Sequence, residues 1–120
     1  MSKQVIAETG GAVYRLVLNR PEKKNALTMD MYAALADALA AAADDDGCRV
    51  IVFEGSGGTF TAGNDLRDFL ENPDLGDDSP VVRFLMGLVL CELPVIAAVD
   101  GDAVGIGTTM LLHCDMVLAS

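Results

Sequence analysis

The sequence has no tryptophan and only 5% aromatic residues, so its core has to be aliphatic, built mainly from Ala, Val and Leu. A single histidine leaves little with which to assemble a multi-ligand metal centre, and no metal site is expected. The three cysteines, Cys48, Cys91 and Cys114, are odd in number, widely spaced and set among apolar residues. They read as reduced core residues of a cytoplasmic protein, not as a disulfide frame or a zinc site. No run approaches the roughly 18 consecutive apolar residues of a membrane span. The opening MSKQVIAETGG lacks the apolar stretch of a secretory signal. Basic residues are scarce, 8 Lys and Arg against 18 Asp and Glu, for a formal net charge of −10. That balance argues against nucleic acid, whose partners present a basic face. It leaves room for a small anionic ligand, because backbone N–H groups at helix starts hold anions without net positive charge.

What is present is organised. Two alternating segments, QVIAET and AVYRLVLNR, flank Gly10 and Gly11, a strong hairpin signal. RPEKKNA, from Arg20 to Ala26, then reads as a polar loop and a small basic island. Thr28 is placed to cap a helix with Asp30 in its first turn, and Tyr32, Leu35, Leu39 and Ala42 follow at helical spacing up to Gly47. VIVFEG reads as a buried strand of a parallel sheet. A glycine-rich loop opens a short helix over Leu66 to Leu70, and a second helix is predicted from Pro80 to Glu92, ended by Leu93-Pro94. VIAAV is another buried strand, followed by a helix ending near His113 and a strand in DMVLAS. The acidic runs Asp44 to Asp46 and Glu71 to Asp78 read as solvated loops whose spacing matches no EF-hand. Hairpin, helix, strand, helix, helix, strand, helix, strand is the order of an α/β fold with right-handed crossovers. Because Ser120 ends a strand of buried type with nothing to cover it, the sequence reads as the front part of something longer.

Ligands of parallel sheets sit at loops beyond the carboxyl ends of strands. Two such loops are nearly bare of side chains: GSGGTFTAGND after VIVFE, and DGDAVGIG after VIAAV. Each leads into a helix and so offers unpaired N–H groups at a positive helix end. If the strands are neighbours, one N–H from each loop can converge on a single oxygen, an arrangement worth about 3–4 kcal/mol per donor when charge develops there. Three readings stand on spacing alone: plain tight turns first, an anion hole second, a nucleotide site third. The third suffers because Gly101, Gly105 and Gly107 fit neither G-x-G-x-x-G nor the P-loop pattern.

FTAGNDLRDF (Phe60 to Phe69) together with PVIAAVDGDAVGIGTTMLLHCDMVLAS (Pro94 to Ser120) resembles the crotonase superfamily of enoyl-CoA hydratases and isomerases. VYRLVLNRPEKKNALTMDMYAAL is similar to the family's first hairpin and helix. The resemblance implies a crotonase-like β-β-α spiral, with residues 1–120 forming the N-terminal part of a single domain of that kind. It implies that the backbone N–H groups of Asn64 and Ile106 form an oxyanion hole for the thioester carbonyl of an acyl-CoA. It further implies that Ala62, Gly63, Asp65 and Leu66 line the coenzyme A channel, with Gly105 beside the second donor and Lys24, Ala26 and Leu27 along the pantetheine or phosphate end. Coenzyme A is then part of the substrate, and no separate cofactor is expected. The family resemblance also implies a homotrimer or a pair of trimers for the full-length protein, with no nucleic-acid or membrane partner.

Several residues invite other readings. Asp65 resembles a catalytic carboxylate but stands where a helix N-cap belongs. Asp115 reads as structural. His113 and Cys114 form a nucleophilic pair only on paper, since neighbours on a helix point about 100° apart. Thr109 is the telling departure, because hydratases of the family carry a glutamate there. Threonine has no useful acid or base function near neutral pH, so hydration loses one of two partners. An isomerase that moves the double bond of a 3-enoyl-CoA to give the 2-enoyl-CoA needs one carboxylate, expected outside this chain. Another crotonase-family activity, hydratase or thioester hydrolase, and a non-catalytic acyl-CoA-binding relative are the alternatives.

Overall fold

The computed structural model describes residues 4–9, 11–71, 76, 78–103, 110 and 113–119. Strand β1 (Val5–Glu8) pairs antiparallel with β2 (Val13–Leu18), and Gly11 makes the turn in the left-handed conformation that the position demands. The polar loop that follows is more structured than its composition implies. Pro21–Lys23 form one 3₁₀ turn, closed by Lys24 with a positive φ of 52°.

Helix α1 (Met29–Asp44) begins as expected, with the Thr28 hydroxyl accepting the Met31 N–H at 3.2 Å. Its other end differs from expectation. Asp45 closes the helix in extended conformation, and its carboxylate accepts the Tyr14 hydroxyl at 2.6 Å and the Gly47 N–H at 2.9 Å. The middle residue of the acidic run is therefore engaged, while Asp44 and Asp46 are exposed. The pairing pushes the Tyr14 phenol up to about 12 and holds the Asp45 carboxyl below its ordinary range.

Strand β3 (Val50–Gly55) runs parallel to β2, and β4 (Val95–Val99) runs parallel to β3, with Ile51 opposite Val95 and Phe53 opposite Ala97. Strand β5 (Met116–Ala119) adds parallel to β4, completing a five-stranded mixed sheet in the order β1-β2-β3-β4-β5. Asp115 clasps the start of β4: its carboxylate accepts the Val95 N–H at 2.7 Å and its own N–H donates to the Val95 carbonyl at 2.8 Å. That is the structural role expected of it.

Helices α2 (Leu66–Glu71) and α3 (Pro80–Val89) complete the described elements. Ser79 caps α3 with Pro80 at its first position. The helix stops at Val89, three residues short of the predicted end, because residues 90–94 must swing back into β4 and the residue before Pro94 is barred from helical geometry. The helix expected before β5 falls outside the described residues apart from Met110, which is buried.

The core lies on one face of the sheet. Tyr14, Leu16 and Leu18 of β2, Ile51 and Phe53 of β3, and Val95, Ala97 and Val99 of β4 share that face by register. They pack under Tyr32, Leu35 and Leu39 of α1 and Phe84 and Leu88 of α3. The intervening residues Val52, Ile96 and Ala98 are half-buried, so β3 and β4 alternate in burial where continuous apolar runs promised cover on both faces. Strand β5 forms where predicted but is exposed, with Met116, Val117 and Leu118 each 41–56% accessible.

Phe84 is the centre of this core, its ring 5.7 Å from that of Tyr32 and edge-on to Phe53 at 6.1 Å. Phe84→Ala in the full-length protein is expected to cost about 3–5 kcal/mol of stability, read as a shift in the denaturant midpoint.

Candidate active site

The segment from Phe60 to Asp65 lies between two others and is bonded to both. On one side, the N–H groups of Phe60 and Thr61 donate to the Asp102 carbonyl at 3.0 and 3.1 Å, and Thr61 bridges Ala103. On the other side, Ala62 N–H donates to the Lys24 carbonyl at 2.9 Å, Leu27 N–H to the Gly63 carbonyl at 2.8 Å, and Asp65 N–H to the Leu27 carbonyl at 2.9 Å. The loops after β3 and β4 therefore meet, as the parallel pairing of those strands requires.

Leu27 holds the residues on either side of Asn64, through the Gly63 carbonyl and the Asp65 N–H. In a parallel bridge of this kind the residue between the two bonds turns its own N–H away from the partner segment. The Asn64 N–H accordingly points away from Leu27, and no acceptor among the described residues takes it. Gly63 reaches this geometry with φ at 94°, and its N–H is held by the Thr61 hydroxyl at 3.1 Å. The Asn64 side chain is anchored separately, its Oδ1 accepting the hydroxyl of Tyr32.

One residue that composition and spacing did not single out holds the loops together. Asn25 is fully buried with φ at 57°. Its Oδ1 accepts the Arg20 N–H at 2.7 Å, and its Nδ2 donates to the carbonyls of Ser56 at 2.9 Å and Thr59 at 2.8 Å, with a longer contact to Phe60 at 3.2 Å. Its own carbonyl accepts the Thr61 hydroxyl at 2.7 Å. The only signal in the sequence was an asparagine at the junction of a polar loop and the apolar Ala-Leu that follows. Glycine contributes by close approach: a Cβ on Gly101 would stand 2.0 Å from the Gly58 carbonyl oxygen, and one on Gly55 would stand 2.4 Å from that of Thr59. The glycine that opens the second loop thus serves loop-to-loop packing, the plain-turn reading.

The candidate residues separate by placement. Ala62, Asn64 and Leu66 are exposed on the same segment, Gly63 is buried beneath them, and Asp65 is half-buried. Lys24 is exposed and offers its carbonyl to the segment, while the half-buried Ala26 gives its carbonyl to Arg20 Nη1 at 3.1 Å. The Leu27 side chain is wholly buried in the core, and its backbone bonds the segment through Gly63 and Asp65. Gly105, Ile106 and Thr109 lie outside the described residues.

Asp65 is the N-cap of α2 and something more. Its Oδ1 accepts the Asp68 N–H at 3.0 Å, and its Oδ2 pairs with Arg20 Nη1 at 2.7 Å in surroundings that leave both side chains under a fifth exposed. The Asp68 N–H first and the Arg20 side chain second hold its carboxyl below the ordinary range, which makes it a poor base. Asp68 is also engaged, accepting the Met29 N–H at 2.7 Å. His113 is exposed, and partial burial pushes the Cys114 thiol up to about 11, so the pair offers no thiolate near neutral pH. A cleft of about 590 Å³ lies between the C-terminal half of α1 and α3, lined by Leu39, Ala43, Met86 and Leu90 among others. No residue of the Asn64 segment lines this cleft, whose nearest lining residue on α1, Ala36, is about one turn beyond Tyr32. Among the described residues no group of acidic, histidine or cysteine side chains is arranged to hold a metal ion, and no helix is long and apolar enough to cross a membrane.

This geometry is that of a crotonase-type α/β fold. OdaA of Pseudomonas aeruginosa superimposes over 99% of this chain and 48% of its own with a TM-score of 0.95 at 49% identity. The profile of the enoyl-CoA hydratase/isomerase family matches residues 8–120, and the chain belongs to that family. It is 39% identical over its full length to the 1,2-epoxyphenylacetyl-CoA isomerase of Escherichia coli, covering 48% of that protein. It is 35% identical over 99% of its length to the peroxisomal enoyl-CoA delta isomerase 3 of Mus musculus, covering 39% of it. The chain thus spans less than half the length of these relatives.

Two expectations follow for the full-length protein. Asn25→Ala strips partners from a buried N–H and at least two carbonyls, each worth about 1–3 kcal/mol, so it is expected to unfold at markedly lower denaturant than the wild type. The second concerns pH. Because the folded Asp65 carboxyl titrates below its unfolded value of about 4, its contribution to stability is complete above that value and is lost as pH falls through the lowered folded value. Asp65→Asn should therefore be less stable than wild type at neutral pH, and the gap should close on acidification below about pH 4. Urea unfolding at a series of pH values reads both effects.

Proposed function

We infer that the full-length protein moves the double bond of a 3-enoyl-CoA to give the 2-enoyl-CoA. Removal of a proton from C2 delocalises charge onto the thioester oxygen, and the N–H groups of Asn64 and Ile106 hold that oxygen while the proton returns at C4. The observation that carries this reading is the Asn64 N–H. It is turned away from Leu27, lacks an acceptor among the described residues, and stands where the loops after β3 and β4 meet. Membership of a family of enoyl-CoA enzymes supplies the substrate class.

The base is assigned to a carboxylate outside this chain. The nearby carboxylates of Asp65 and Asp68 are committed to backbone N–H groups, and Arg20 keeps Asp65 ionised and weakly basic. Exposed Ala62 and Leu66, together with Lys24, are assigned to the acyl-CoA path. Isomerisation is favoured over hydration because Thr109 offers no acid or base to an attacking water. The full-length protein is further proposed to assemble as a homotrimer or a pair of trimers.

Ile106→Pro removes one N–H donor and is expected to lower isomerase turnover about 10²–10³-fold, with binding of a saturated acyl-CoA measured alongside to separate loss of the donor from local distortion. Thr109→Ala is expected to leave isomerisation largely intact. Wild-type hydration of a 2-enoyl-CoA should be slow by comparison, and hydration as fast as isomerisation would assign the protein to the hydratase reading instead.

A further inference from the structure

Tyr32 stands apart from the other apolar residues of α1. Its ring is fully buried against Phe84, yet its hydroxyl reaches out of the core to the side chain of exposed Asn64, 32 residues away in the chain. Burial pushes its phenol well above the ordinary range, so the group stays a neutral O–H donor at any working pH. The bond occupies Asn64 Oδ1. Left free, an asparagine oxygen at this position would turn to backbone N–H groups ahead of it, as asparagines do at turns and helix starts. Here those groups are the first residues of α2, already capped by Asp65. An Asn64 side chain turning towards them would compete with that cap and rotate the peptide that carries the Asn64 N–H.

The geometry points to Tyr32 as a positioning residue: by tethering the Asn64 side chain to the rigid α1–α3 core, it holds the Asn64 N–H in the direction required of an oxyanion donor. This rests on the function proposed above and adds to it a residue that never touches substrate. Leu27 fixes the flanking peptides from one side, and Tyr32 fixes the side chain from within. Together they leave Asn64 little freedom about its own backbone dihedrals.

The test uses the full-length protein and the variants Tyr32→Phe, Asn64→Ala and the double variant. Tyr32→Phe keeps the ring packed on Phe84, so the fold is retained. Its turnover of a 3-enoyl-CoA should fall on the order of tenfold, since small misplacements of catalytic groups have effects of that size or larger, with KM little changed. Asn64→Ala keeps the backbone N–H but loses the tether. It should fall similarly, and the double variant should fall no further than either single one, as expected for two residues acting through one bond. An independent readout is the infrared carbonyl stretch of a bound saturated acyl-CoA labelled at the thioester carbon. The wild type should lower its frequency relative to water, and Tyr32→Phe should lower it less. A Tyr32→Phe protein with wild-type turnover and wild-type carbonyl shift would overturn the role of Tyr32 while leaving the anion hole in place. Additive losses, or a loss confined to thermal stability, would likewise reduce Tyr32 to a buried tyrosine that has found a hydrogen-bond partner. A wild-type protein that neither shifts the carbonyl nor isomerises would overturn the hole itself and this proposal with it.

Discussion

The loop cluster depends on one buried amide. Asn25 has no access to water, so every polar atom it carries must find a partner inside the protein. Those partners are the Arg20 N–H on one segment and the Ser56 and Thr59 carbonyls on another. Satisfying them forces the polar loop before α1 against the loop after β3. The left-handed conformations of Lys24 and Asn25, which disfavour a side chain such as lysine by about 1–2 kcal/mol, are held in place by these bonds. Among the described residues no buried side-chain polar atom lacks a partner, so the cluster is fully satisfied. A network in that condition is rigid, because any displacement would expose an unpaired group to a low-dielectric interior.

That rigidity gives a backbone N–H its direction. Side-chain donors swing through rotamers, whereas a peptide bonded on both flanks to Leu27 has much less freedom. Peptide groups would suit the proposed site in a protein with a net charge of −10. Under the proposed function they would stabilise developing negative charge without an extra cation in the site, where it would be drawn to neighbouring carboxylates such as Asp65. Arg20 illustrates the hazard, since it stands close to the segment but is already paired with Asp65. Two N-terminal helix connections reinforce the arrangement. Asp65 starts α2, and Asp68, one turn on, caps the first N–H of α1. The short helix after the candidate donor is thus tied to α1.

Much of this was legible in the sequence because it depends on short-range rules. Strand alternation, the Gly10-Gly11 hairpin, the Thr28 and Asp65 caps, the structural role of Asp115 and the parallel placement of β3 beside β4 all follow from patterns within a few residues or from element order. The segments FTAGNDLRDF and PVIAAVDGDAVGIG carried the family through their resemblance to it, whereas the spacing of their glycines alone favoured plain turns. What local patterns did not determine were the partners of particular side chains. Asn25 looked like one more polar loop residue, Tyr32 like one more core position, and Asp45 like solvated charge. Each was decided by contacts between segments: Asn25 reaches residues 31 and 34 positions away, Tyr32 reaches 32 and Asp45 reaches 31. The one-sided burial of β3 and β4 has the same origin, because an apolar run permits cover on both faces but only the packed helices decide which face receives it. Sequence determined the elements and their order through hydrophobic period and capping. Tertiary structure alone decided which peptide group was left pointing away from its neighbours, because that depends on which buried groups elsewhere in the chain claimed the rest.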